Sequence, residues 1–262
     1  MTKTREKKKA PIAPCALCTE TKELCRSHII PDSYFRKMKQ QSNGLLVEFD
    51  TDPETVVKKG IDSWWEYLLC KDCEKKCEAL ETRWIPRLRE AGKKFTSVEQ
   101  FVPLAQFEYH SFRRFMLSVL WRSSVSKQPE FGPVRLTPPA AEVLRAIVYG
   151  EKNAPPENVL AIRVRKIFDA TGAMSAESFE HMVMAPRPNT ERGFIEIRFM
   201  FAGYVIDFAM AELNAGQMQA SGYALDRQTF DIPAIAMVDI TELMHVGVHM
   251  LVKKDSGMTS LN

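Results

Sequence analysis

Six cysteines lie between residues 15 and 77, and four of them form two Cys-x-x-Cys pairs, Cys15/Cys18 and Cys70/Cys73. Two thiols at this spacing can hold one metal ion in a tight turn, and two such turns supply the four ligands that tetrahedral zinc prefers. The 51 residues between Cys18 and Cys70 would then have to fold around the ion. Structural zinc contributes on the order of 10 kcal/mol of folding free energy, so this segment would depend on it. No cysteine occurs in the last 185 residues. Thiols gathered in one place read as a local site and not as the disulfide framework of a secreted fold. Cys25 and Cys77 fall outside the pairs and read as buried free thiols.

His28, ten residues after Cys18 in the string Ser-His-Ile-Ile-Pro, is the next candidate. Beside Cys15, Cys18 and Cys25 it can complete a local Cys-Cys-Cys-His finger, or it can be a structural histidine. Asp32, Asp72 and Glu78 are nearby carboxylates, and nothing in the spacing selects one of them. Trp64 and Trp65 lead into the second pair, where they pack in a core or stack on nucleobases.

The elements that must position these residues follow from periodicity. Residues 23–30 read as a strand ended by Pro31, and residues 32–41 as a short helix closed by Ser-Asn-Gly. LLVEF and TVVKK, separated by a turn rich in Asp and Pro, read as a hairpin. Beyond Cys73 the spacing of Cys77, Leu80, Trp84 and Leu88 predicts a helix, which Pro86 should bend or end early. A second region opens with an apolar helix over about 104–124, followed by a helix introduced by Pro138 and Pro139. From Val159 onward the period falls towards two, which predicts a mostly antiparallel sheet, with a helix in MSAESFEHMVM and a last strand in HVGVHMLVKK. His245 and His249 in that last segment read as structural. The expected organisation is a basic flexible tail at 1–10, a zinc domain at 11–95 and an α+β domain at 96–262.

The order of Cys-x-x-Cys, His-Ile-Ile-Pro and an apolar run into Cys-x-x-Cys followed by a helix resembles the zinc-supported HNH endonucleases. The resemblance covers about residues 15–90. It implies a treble-clef-like ββα-metal core in which Cys15, Cys18, Cys70 and Cys73 hold structural zinc and His28 is the general base. Three positions depart from the pattern: Ser27 stands where a metal-binding Asp is expected, Trp65 near an expected Asn, and Glu74 where His or Asn is usual. Glu74 would take over as a ligand of a catalytic Mg²⁺ or other divalent cation, since hard cations prefer oxygen.

The function this implies is metal-dependent hydrolysis of phosphodiester bonds in DNA or RNA. The alternative is a zinc module without catalysis that binds nucleic acid or a protein. By analogy, a nuclease-like module joined to a partner-binding domain suits bacterial defence against phage.

Charge adds little. Five basic residues against one acidic give the first nine residues +4, so the other 253 sum to −1 within a chain of net +3. The tail reads as a phosphate-contacting arm or a solvated end. Arg113, Arg114 and Arg122 on the apolar helix offer a phosphate-facing edge. Without an apolar run of 18 residues or a secretory leader, a cytoplasmic protein with no membrane association is expected. The second region carries no Gly-rich phosphate loop or nucleophile elbow, and its expected role is selection of a substrate or partner.

Overall fold

The computed structural model describes residues 9–41, 46–49, 57–60, 64–95, 100–220 and 222–244. The N-terminal third contains β1 (Ile12–Pro14), β2 (Thr21–His28), α1 (Asp32–Gln41), β3 (Leu46–Phe49), β4 (Val57–Gly60), β5 (Trp65–Cys70) and α2 (Lys71–Lys94). Strands β1, β2 and β5 form a three-stranded antiparallel sheet in that order. Helix α2 begins at the residue after β5, so each end of the β2–β5 pair reaches a functional side chain: the thiols at one, His28 at the other.

Helix α2 does not stop at Pro86 but continues to Lys94. A proline inside a helix removes one hydrogen bond and costs about 3 kcal/mol. The buried stripe of Cys77, Trp84, Ile85, Leu88 and Ala91 offsets it, since each large apolar side chain taken from water contributes roughly 1.5–3 kcal/mol.

The remainder comprises β6 (Phe101–Leu104), α3 (Tyr109–Val125), α4 (Pro138–Tyr149), β7 (Ile162–Phe168), α5 (Ala176–Glu180), β8 (Val183–Asn189), β9 (Glu196–Phe201), β10 (Tyr204–Ala209), α6 (Ala215–Met218) and β11 (Phe230–Ala236). The fold is thus mixed α and β. Its large sheet has eight strands in the order β4-β3-β8-β9-β10-β7-β11-β6, parallel only at β3/β8 and β7/β11. The expected hairpin forms as β3 and β4 and extends one edge of this sheet. The apolar helix starts at Tyr109, because Phe101–Leu104 before it are a strand paired with β11. The helix expected at 174–184 is a single turn, and Val183–Asn189 join the sheet instead. HVGVHMLVKK, with His245 and His249, lies outside the described residues. No helix among those described is long and apolar enough to cross a membrane.

One hydrophobic core runs from Cys15 and Leu17 through Trp84, Phe112 and Trp121 to Phe208 and Ile232. It covers one face of the large sheet. On the other face, buried charges lie between two smaller apolar clusters, one with Met200 and Val205 and the other with Ala209 and Tyr223. Asp207 is fully buried and accepts from Arg163 (2.9 Å), Arg165 (2.7 Å) and Arg198 (2.7 Å), while Glu196 pairs with Arg163 at 2.8 Å. Burial alone would raise the Asp207 carboxyl, but the three guanidiniums hold it below the usual carboxylate range.

A folded value below the unfolded one, about 3.9, gives stability that is present above that pH and lost as pH falls through the folded value. Asp207→Asn is therefore expected to lower unfolding free energy by about 3–5 kcal/mol at neutral pH, the cost of stranding buried charges. The loss should shrink below pH ~4. Urea titrations of both proteins at neutral and acid pH measure it.

Candidate metal centre

The first cysteine pair occupies the turn between β1 and β2. Cys15 N–H donates to the Glu20 carbonyl at 2.9 Å and Thr19 N–H to the Cys15 carbonyl at 2.8 Å, with Thr19 in the left-handed region at φ 64°. A β-branched residue there is strained, so the surrounding contacts must impose the turn. The second pair sits at the N-terminal end of α2, with Cys70 closing β5 and Cys73 in the first helical turn. Helix N-termini favour thiolates.

The four Sγ atoms all lie within 4.8 Å of one another, and Cys18 Sγ is 3.9 Å from Cys70 Sγ. Metal–sulfur bonds of about 2.3 Å in a tetrahedron require sulfurs about 3.8 Å apart, so the cluster fits a metal ion such as zinc. Cys15, Cys70 and Cys73 are buried, and the Cys70 N–H donates to Cys15 Sγ at 3.2 Å. Burial pushes the Cys73 thiol up. At Cys15 the same effect is outweighed by backbone N–H groups of Cys18, Cys70 and Leu17, which draw the thiol down. A bound cation supplies the remaining charge that thiolates need. Arg145 on α4 donates to the Leu17 carbonyl at 2.7 Å and pairs with Glu142 and Glu151, which ties the knuckle to the helical layer.

Among the described residues, no other group of three ligand side chains comes as close together. Cys25 and His28 stand outside the cluster, so the local Cys-Cys-Cys-His finger is not formed. Cys77 is buried on α2 and burial pushes its thiol up to about 11, consistent with a packing role.

His28 instead lines a cleft of about 440 Å³ together with Asp32, Arg36, Glu74, Glu78 and Arg122. Its Nε2 lies 3.1 Å from Asp32 Oδ1, and Arg36 Nε lies 2.9 Å from Asp32 Oδ2. The His28 carbonyl accepts from Arg122 at 2.7 Å, and Arg122 pairs with Glu81 at 2.8 Å. Glu74 is largely buried, which raises its carboxyl against the lowering effect of the Ser27 hydroxyl and Arg122. Its Oε1 is buried without a hydrogen-bond partner. Ser27 has no exposed surface, and its Oγ also accepts from the Leu69 N–H at 2.9 Å.

The structure separates residues that the sequence left alike. Of the three carboxylates without a selecting spacing, Asp32 reaches His28, Glu78 lines the cleft, and Asp72 pairs with Lys22. The visible signal for Asp32 is its position four residues after His28 across Pro31. Trp64 is buried edge-on to Phe35 and Phe131, whereas Trp65 is half-buried with the Arg26 guanidinium 4.3 Å above its ring. The three arginines of α3 do not form a phosphate-facing edge. Arg113 donates to the carbonyls of Pro155, Pro156 and Val159, Arg114 to Val148, and Arg122 to His28.

Purified protein is expected to carry one equivalent of metal per chain by elemental analysis. Cys15→Ala or Cys70→Ala should lose it and unfold at markedly lower temperature, since the bound ion contributes on the order of 10 kcal/mol. Full metal retention in either variant would contradict the four-thiol site. A comparison with protein-family models, curated proteins and solved structures finds no match to this chain.

Proposed function

We propose that this chain is an HNH-type endonuclease that hydrolyses phosphodiester bonds of nucleic acid, with zinc as the structural ion of the four-thiol cluster and His28 as general base. The reading is supported chiefly by one observation. His28 is not drawn into the thiol cluster but stands on an open cleft that also contains Glu74, and both are carried by the strands and helix that the cluster ties together. In this reading β2, β5 and α2 are the ββα-metal core.

His28 accepts a proton from water as the water oxygen attacks phosphorus, and the bond from phosphorus to the leaving sugar oxygen breaks. A divalent cation such as Mg²⁺, when bound, supplies positive charge to the scissile phosphate. Glu74 is the protein oxygen ligand best suited to hold it, because Oε1 is not engaged by another protein group. No second set of three ligand atoms is assembled among the described residues, so water must fill most of that coordination shell, as Mg²⁺ readily allows. The same observation favours, as a second reading, a zinc module that binds nucleic acid or a protein without cutting.

Wild type and His28→Ala, both loaded with zinc, are to be incubated with plasmid, single-stranded DNA and RNA in Mg²⁺ or Mn²⁺. Cleavage by wild type that falls roughly 100-fold or more in His28→Ala, the usual contribution of a general base, is the expected result. Equal cleavage by the two proteins sinks the assignment, and binding of any substrate without cleavage moves the case to the second reading.

A further inference from the structure

The backbone of His28 is held from two sides. The Ile29 N–H donates to the Trp64 carbonyl at 3.0 Å, and Arg122 donates to the carbonyl of His28 itself. This fixes the Cα, and the angle of the imidazole is then set by what the ring itself meets. The ring meets Asp32, in the first turn of α1, through Nε2 at 3.1 Å, and Asp32 is in turn engaged by Arg36 one helical turn on. Glu74, Glu78, Glu81 and Arg89 from α2 and Arg122 from α3 complete the charged lining of the cleft.

We propose that Asp32 is the positioning residue of the site: its carboxylate accepts the Nε2 proton of His28, fixing the ring angle and the tautomer in which Nδ1 is the basic nitrogen. This rests on His28 being the general base. Orientation of an imidazole by a carboxylate on its other nitrogen is the arrangement a catalytic histidine needs, because a mis-rotated or wrongly protonated ring cannot take the proton. The carboxylate also stabilises the imidazolium formed when the water proton arrives. In this chain the acid lies four residues downstream, in the first turn of α1. Arg36 is mostly exposed, so its pairing with Asp32 contributes little beyond restraining the carboxylate.

A purely structural Asp32 would act by favouring the start of α1, and a double-mutant cycle separates the two roles. Cleavage is to be measured for wild type, Asp32→Ala, His28→Ala and the double variant. Asp32→Ala is expected to lower kcat roughly 10- to 100-fold with KM unchanged, and Asp32→Asn, which keeps an acceptor without charge, to fall between. In the His28→Ala background the same substitution should have no further effect, since positioning works only through the ring. Equal losses in both backgrounds, or wild-type rates in Asp32→Ala, overturn the proposal.

If wild type cuts no substrate, the base assignment fails by itself. The positioning claim is then decided by the imidazole ¹⁵N spectrum, with the His28 signals assigned by their loss in His28→Ala. A protonated Nε2 whose signals move in Asp32→Ala upholds the contact, and signals that do not move refute it.

Discussion

Four sulfurs drawn from two segments of chain meet within 4.8 Å of one another, and the geometry of the N-terminal third hangs on that convergence. Cys15 and Cys18 lie in a turn with almost no regular structure of its own, between a three-residue strand and β2. Such a turn cannot bury enough apolar surface to hold itself. Its tie to Cys70 and Cys73 fastens it to the junction of β5 with a 24-residue helix. His28 gains its place from the same tie, because β2 runs from the first knuckle to the histidine and pairs with β5 from Leu24 to His28. Loss of the metal should therefore be felt at the cleft as well as at the thiols.

A second set of constraints joins this segment to the rest of the molecule, and it consists of side-chain donors to its backbone carbonyls. Arg145 reaches Leu17, Arg122 reaches His28, and Gln128 reaches the carbonyl of Trp65. These carbonyls lie in the turn of the first knuckle and at the ends of β2 and β5, and an unmet buried carbonyl costs free energy comparable to a lost hydrogen bond. Charged donors are suited to the task because each can reach across a helix–loop gap and form a stronger bond than a neutral group. The price is specificity of a different kind: arginines committed in this way are withdrawn from nucleic-acid contact. Under the proposed nucleic-acid reading, electrostatic attraction for the polyanion would have to come from other residues.

The thiol pairs were legible in the sequence because a metal knuckle needs a fixed local spacing, and α2 and α3 because amphipathic helices repeat locally. What stayed hidden depends on partners distant in sequence. Val183–Asn189 contains Pro186 and Pro188, which argue against a strand, yet a register irregularity between Met184 and Arg187 accommodates the first of them. Phe230–Ala236 contains Pro233, which falls where the strand exchanges one neighbour, β6, for another, β7. Arg122 was indistinguishable from a surface arginine because its acceptor lies 94 residues away. Asp32 was visible only as one acid among several, since its contact with His28 crosses the turn at Pro31 instead of following a helical period.

The departures at Ser27 and Glu74 make physical sense as a pair. Ser27 has no exposed surface, its Oγ accepts from the Leu69 N–H, and its hydroxyl draws the Glu74 carboxyl down against the effect of burial. A carboxylate at 27 would place a second negative charge against Glu74 inside a region where burial already disfavours the first, and two carboxylates so placed cannot both ionise near neutral pH. A small neutral donor at 27 is what permits an acid at 74. The single carboxylate is thereby moved from the strand to the first turn of α2, where the helix N-terminus favours it. Under the proposed reading, the cleft would keep an oxygen ligand near His28, supplied by α2 and not by the strand that carries the histidine.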